Sequence, residues 1–407
     1  MMSDTFMPSP PTHVPPELIV DFDFFQVPDG LSDPAEIWHQ LVREGAPKIF
    51  YTPRNGGHWV FLDYLDIVEG YRDFQLFSTY QTPIPPIEPF PTMQPQGVDP
   101  PQHEVFRMLL APMFTPVAIR QRTAEIERRS RRNIDSFADT GACDFIDDYA
   151  TKLPTGMFLH LMGLPEERLP EFLDLSNVFF RSNDNQARAQ NLEQIYRVLD
   201  VMFEDKKAQP RDDLATKILQ ARGHDGALLP YQQKLDCAFL LFVAGLDTVT
   251  NTMAYIWRYL ATTPNARAAM RERLHDPDAL MRAVEELFRI NAVSNLYRRV
   301  TRDTAFKSVV MKRNDRVVLP NTVANRNPAV FMDPDVIDLD RQVNRHVTFG
   351  VGPHRCLGSH LAKREVLVSL QCWFERIPEF RLSDEGHRVH AFGGPVMGFR
   401  NLPLIWD

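Results

Sequence analysis

The chain has 407 residues, with 53 acidic against 45 basic side chains and a net charge of −8, which argues against nucleic acid as a main partner. Hydrophobic residues make up 44% of it, with 28 phenylalanines, enough for a large core and a roomy apolar interior. The four cysteines, at 143, 237, 356 and 372, show no disulfide-like spacing, so a reducing compartment is expected. Residues 1–16 are polar and proline-rich and lack the apolar run of a signal peptide or membrane anchor; the most apolar internal run, 238–246, is too short to span a bilayer. A soluble cytoplasmic protein is the expectation.

No linker-like break divides the chain, so residues 1–20 read as an extended arm and residues 21–407 as a single domain. Residues 33–45 have a cap-like start, a helical pattern and a glycine stop. Residues 49–61 read as a β-hairpin around Gly56 and Gly57, and a helix follows over 64–73. Residues 82–101 carry eight prolines and form neither a regular helix nor a central strand. Ile84, Ile87, Phe90 and Met93 among those prolines favour an ordered lid over a solvated linker. His103 and Arg107 then share one face of a helix start. Residues 117–222 read as helical, broken near Pro154, Pro165, Pro170 and Pro210. Phe172, Phe179 and Phe180 within them form an aromatic cluster suited to packing between helices.

A helix of more than thirty residues is expected over 230–263, long enough to cross a whole domain. Asp247 and Thr248 interrupt its apolar middle, and buried polar groups need partners. Thr248 bonded back to a helix carbonyl is the plain reading; an acid–alcohol pair relaying protons is the chemical one. Gly245 beside them lets the backbone open. Glu286 and Arg289 have the spacing of an ordinary helical salt bridge. Residues 301–320 alternate like β-structure, and an irregular meander follows. Near the end, Val396 and Met397 between glycines suggest a turn reaching into a pocket.

The densest signal is residues 349–358, Phe-Gly-Val-Gly-Pro-His-Arg-Cys-Leu-Gly, followed at once by an apolar stripe at Ala362, Val366 and Leu370. Cys356 lies just ahead of that helix, where free N–H groups and the positive dipole end favour an anion. The flanking glycines let backbone pass close to a large flat ligand. A buried structural cysteine, a zinc site with His354 and His360, and a nucleophilic thiol are the alternatives, but no second Cys/His pair stands at zinc-site spacing.

Phe349-Gly350-x-Gly352-x-His354-x-Cys356-x-Gly358 resembles the haem-binding loop of the cytochrome P450 family. The resemblance runs from His103 to Leu402-Pro-Leu-Ile-Trp406, and the soluble bacterial camphor-hydroxylase-like members are the most similar. It implies a mainly α fold with a smaller β region, and haem b held by the Cys356 thiolate as axial ligand, with Phe349 and Gly350 in the loop around it. His103, Arg107, Arg298 and His354 would meet the haem propionates, with Arg299 as the other register for Arg298. Asp247 and Thr248 would deliver protons to dioxygen, while Glu286, Arg289 and Arg341 would pin the core behind the haem. By the same resemblance Phe172, Phe179 and Phe180 would instead be part of an access channel. The implied activity is a monooxygenase fed by a ferredoxin and its reductase, with Lys363 and Arg364 as docking cations or ordinary surface charges. The camphor-type members hold their ketone with a tyrosine ahead of the His/Arg helix; between Gln81 and Asp99 this chain has none, and Pro91 takes that register. The expected pocket of Met93, Val243, Ala244, Ser294 and Val396 thus suits another bulky apolar terpenoid, a norisoprenoid such as an ionone. A camphor-type monoterpene and a non-catalytic haem sensor are the other readings.

Overall fold

The computed structural model describes residues 9–407 except 29, 32, 87–90, 183 and 384–388. Residues 9–20, read as an arm, lie against the first hairpin: Val14 is buried and Ile19 bridges Tyr51 in parallel. Asp33 accepts from the Ala35 N–H just ahead of α1 (Glu36–Arg43), and Gly45 ends it with a φ of +79°. β1 (Ile49–Thr52) and β2 (His58–Phe61) form the expected hairpin, pairing Ile49 with Phe61 and Thr52 with His58. The Asp63 side chain caps α2 (Tyr64–Arg72), and β3 (Phe77–Ser78) follows.

The proline-rich stretch is an ordered loop where it is described. Ile84 and Gln94 are buried, and Asp99 accepts from Ser78, Thr79 N and Thr79 Oγ1. Ile87 and Phe90 lie outside the described residues. The loop delivers the chain into α3 (Gln102–Leu110), then α4 (Pro116–Gln121) and α5 (Thr123–Asp135).

The helical reading of residues 117–222 needs two corrections. A short strand, β4 (Ala142–Asp144), and a π-helical turn (Ile146–Ala150) interrupt it. The break expected near Pro154 falls just ahead of it: the π-helical turn ends at Ala150 and Pro154 is the third residue of α6 (Lys152–Leu161), in the first turn, where a proline is tolerated. Pro170 is likewise the second residue of α7 (Leu169–Arg181), and Pro210 follows α8 (Asn185–Ala208). α9 (Leu214–Leu219) closes this half.

α10 (Tyr231–Thr262), about 48 Å long at 1.5 Å per residue, is the axis of the molecule. Its first half packs Phe239, Phe242, Val243 and Leu246 against α6, α7 and α8. Its second half packs Val249, Met253, Trp257 and Leu260 against an aromatic core in which Trp257 stacks on Phe145 at 4.7 Å. It is long and apolar enough to cross a membrane, but 72% of its most apolar window is buried inside the protein, as a core helix requires.

α11 (Pro264–Arg273) and α12 (Pro277–Ile290) lead into β5 (Asn295–Val300), the small hairpin β6 (Thr304–Phe306) and β7 (Val309–Met311), β8 (Arg316–Pro320) and α13 (Asn321–Ala324). The main sheet runs β1-β2-β8-β5-β3, antiparallel except for the β2–β8 pair. The meander returns through the cysteine loop to α14 (Ser359–Arg376), whose Ala362, Val366 and Leu370 are buried as the stripe predicts. β9 (Arg381–Leu382), β10 (Ala391–Phe392), β11 (Gly398–Phe399) and β12 (Pro403–Ile405) finish the chain; β12 lies between β4 and β9, and β10 pairs with β11. The fold is mainly helical with a smaller β region.

Candidate active site

Cys356 closes the glycine loop, its N–H donating to Phe349 O at 2.8 Å. Gly350 turns with φ +64°. At Gly352 both conformation and space demand glycine: φ is +79°, and a Cβ would come 3.2 Å from Tyr71 O. Cys356 keeps an exposed side chain, yet burial is the largest influence on its thiol and pushes it up. The Gly358 N–H and the charges of Arg107, Arg355 and Lys363 favour the thiolate. His354, Cys356 and His360 do not gather as a metal cage; no cluster of three or more His, Cys, Asp or Glu suited to a metal exists among the described residues.

Midway along α10, Ala244 and Gly245 are exposed between buried Val243 and Leu246. Thr248 Oγ1 donates to Ala244 O at 2.9 Å, the back-bond expected of a helical threonine. Asp247 accepts from Asn251 Nδ2 at 2.9 Å. Burial pushes its carboxyl up to about 6, against the Asn251 hydrogen bond and the Arg181 charge. Leu357 and Leu361 from the cysteine side pack on the cluster that holds Val243, Leu246 and Phe106, and Met93 of the proline-rich loop packs there too. Ser294 and Val396 face each other across a β-bridge, while Met397 beside them is fully buried in the core. Of the three phenylalanines read as a channel or as packing, Phe172 is interior packing, 5.7 Å from both Phe158 and Phe242. Phe179 and Phe180 are half-buried.

A group of basic side chains gathers near the loop. The His103 and His354 rings lie 4.4 Å apart, and His354 Nε2 reaches Asp99 Oδ1 at 3.5 Å. Arg298 is buried with its guanidinium 5.1 Å over the Tyr71 ring, whereas Arg299 points to the opposite face of β5, over Tyr80. Burial lowers His103 to about 4, helped by His354 and Arg107. Burial also lowers His354, Arg107 and Arg298. Burial pushes the Asp99 carboxyl up, but its donors His354, Ser78 and Thr79 outweigh that and hold it low. His103 Nδ1, His354 Nδ1 and Arg298 Nε are buried without hydrogen-bond partners. Such donors call for an acceptor of negative charge, and the carboxylates of a haem fit them.

Glu286 and Arg289, both fully buried, form a bidentate pair with both contacts at 2.8 Å. Arg341 Nε adds a bond to Glu286 Oε2 at 3.0 Å. Sequence reasoning missed the rest: Asn344 also donates to Glu286, and Arg289 donates to the carbonyls of Asn325, Pro334 and Val336. Lys363 is not a free docking charge. It pairs with Glu285, which also binds His346 at 2.9 Å, and lies 5.1 Å over the Phe349 ring, beneath the cysteine loop. Burial, and after it the like charge of Arg120, lowers Arg364.

The cytochrome P450 family model matches residues 155–390. A probable cytochrome P450 127A1 of Sinorhizobium fredii is 33% identical over 97% of this chain and 96% of its own length. The chain belongs to the cytochrome P450 family. A mycinamicin IV hydroxylase/epoxidase of Micromonospora griseorubida is 31% identical over 76% of this chain and 79% of its own. Among solved P450 structures, CYP101C1 superposes with a TM-score of 0.88 and CYP101J2 with 0.87, each 30% identical and each covering 98% of this chain and 100% of its own. This P450 is accordingly a haem-thiolate monooxygenase with a cysteine ligand to iron.

Proposed function

We propose that this P450 is a cytoplasmic enzyme hydroxylating a bulky apolar terpenoid or norisoprenoid such as an ionone, with electrons from a ferredoxin and its reductase. The observation that carries the reading is the exposed face in the middle of α10: Ala244 and Gly245 are exposed on a helix that runs unbroken through Gly245, with Asp247 and Thr248 directly after. Cys356 ligates the iron, and His103, Arg107, Arg298 and His354 hold the propionates. When bound, the haem activates dioxygen, one oxygen atom ending in the substrate and the other in water.

The chain's own residues supply protons, orientation and dryness. Asp247, near 6, exchanges a proton readily close to neutral pH. The Thr248 hydroxyl, donor and acceptor at once, passes it into the groove. Met93 and Val243 share one apolar cluster, with exposed Ala244 next to Val243 on α10; Val396 packs on the other core cluster and faces Ser294, which we take as the polar point of the pocket. Glu286, Arg289 and Arg341 keep the frame behind the site. A groove of about 360 Å³ beside the cysteine loop is lined by Arg282 and Arg355, with Lys363 and Arg341 already paired to Glu285 and Glu286, and the remaining positive charge supports an acidic electron donor.

Optical titration of the ferric protein with ionones and camphor tests the substrate. A low- to high-spin Soret shift with ionones and none with camphor is the expected result; the reverse would make a camphor-type monoterpene the substrate. Thr248→Ala should divert electrons from product to hydrogen peroxide, read as the product-to-electron ratio, and unchanged coupling would remove Thr248 from the relay.

A further inference from the structure

Asn251 is 2% exposed, one helical turn beyond Asp247 on α10. Its Nδ2 donates twice, to Asp247 O at 2.8 Å and to Asp247 Oδ1 at 2.9 Å. On its other side lies β11, where a Cβ added to Gly398 would fall 1.7 Å from Asn251 Oδ1 and 3.0 Å from Asn251 Cβ. Gly398 is not in the left-handed region, so its requirement for glycine is purely one of space. Phe399 continues along the same helix face, its ring 4.6 Å from Tyr255 and 5.5 Å from the Arg258 guanidinium. Residues 251, 255 and 258 stand at i, i+4 and i+7. The strand therefore tracks the helix and places its one residue without a side chain at Asn251.

We infer that Asn251 and Gly398 are positioning residues for proton delivery: Gly398 leaves room for the Asn251 side chain, and Asn251 clamps both the backbone carbonyl and the carboxylate of Asp247. The clamp fixes where the carboxylate points and how tightly it holds a proton. A donor on a carboxylate favours the charged form, and Asn251 opposes the upward push of burial on Asp247. The charge bearing on Asp247 from a neighbouring element is Arg181 at the end of α7, itself paired with Asp147 at 2.7 Å. This inference rests on Asp247 being the proton carrier.

Infrared difference titration of the ferric holoenzyme tests it, with the protonated-carboxyl band assigned by its disappearance in Asp247→Asn. In Asn251→Ala the midpoint should rise by about one pH unit, roughly tenfold in proton affinity. Gly398→Ala should move it the same way, because Asn251 must leave its seat, and should add nothing in an Asn251→Ala background. Asn251→Asp keeps the side-chain size, which protects folding, and a second carboxyl there should raise the midpoint further. An unmoved midpoint in Asn251→Ala or Asn251→Asp, or a Gly398→Ala shift that persists without Asn251, would overturn the inference. Unchanged coupling in Asp247→Asn would instead remove the carrier role and leave the titration result standing.

Discussion

Two buried ionic clusters differ in whether they are closed. Around Glu286 and Arg289 the carboxylate collects donors from Arg289, Arg341, Asn344 and Asp338 N, and the guanidinium meets three carbonyls. Around His103, His354 and Arg298, buried donors stay unmet. Each group is buried around an arginine, so burial and charge alone do not separate a frame from a binding site. Satisfaction of the charged atoms does: every Glu286 oxygen and Arg289 nitrogen is bonded, although Asn344 Oδ1 beside them is not, and such a pair orders the protein, whereas an open group is ordered by what it binds.

The largest effect should come from opening the closed cluster. Arg289→Ala takes the bidentate partner from fully buried Glu286, leaving Arg341 as its cation, and takes a donor from the carbonyls of Asn325, Pro334 and Val336; it should cost about 3 kcal/mol, read in chemical denaturation of the haem-free chain. A loss below about 1 kcal/mol would mean that water or a rearrangement replaces the guanidinium. At the open cluster the balance should invert. Arg298→Ala should weaken haem by about 1.5–3 kcal/mol, one charge-assisted hydrogen bond, read as the rate of haem transfer to a scavenging apoprotein. It should leave the haem-free chain no less stable, while Arg299→Ala on the other face should change either quantity by no more than about 0.5 kcal/mol. Equal losses of haem-free stability in Arg289→Ala and Arg298→Ala would erase the distinction.

The smallest effect is one of pH. Burial lowers folded His103 from 6.5 to about 4, so between those values the unfolded chain takes up a proton that the folded one refuses. Its contribution is therefore intact above 6.5 and stability falls as pH drops towards 4. His103→Gln should flatten that part of the haem-free stability–pH curve. In the wild type, bound haem should also flatten it, because an anion beside the ring favours its charged form.

What could be read from the sequence was what lies within a few residues of itself. The cysteine loop, the α10 motif and the His103/Arg107 pair are local patterns, and the stripe of α14 is a helical period. The partners of Arg289 are not local: Asn325, Pro334 and Val336 arrive through an irregular meander that no periodicity encodes. Pro154 marked the break but not its form: β4 and the π-helical turn ahead of α6 carry no proline or glycine of their own, Gly141 just before them apart, so nothing local announced them. Arg298 and Arg299 were separable only once β5 was known to be a strand, since alternation then assigns them opposite faces.

That strand limits how the enzyme can diversify. Ser294, just ahead of β5, bridges Val396, and Arg298 lies four residues on, paired with Val317 of β8. One inserted residue between them would slip the pairing, send Arg298 outward and bring its neighbour in, so with the proposed roles of Ser294 and Arg298 a change made for the substrate would also reach the cofactor side. New specificities on this side must therefore arise by exchanging side chains at fixed length. The proline-rich loop carries Met93 on irregular backbone between β3 and α3, so insertions and deletions have their freedom there.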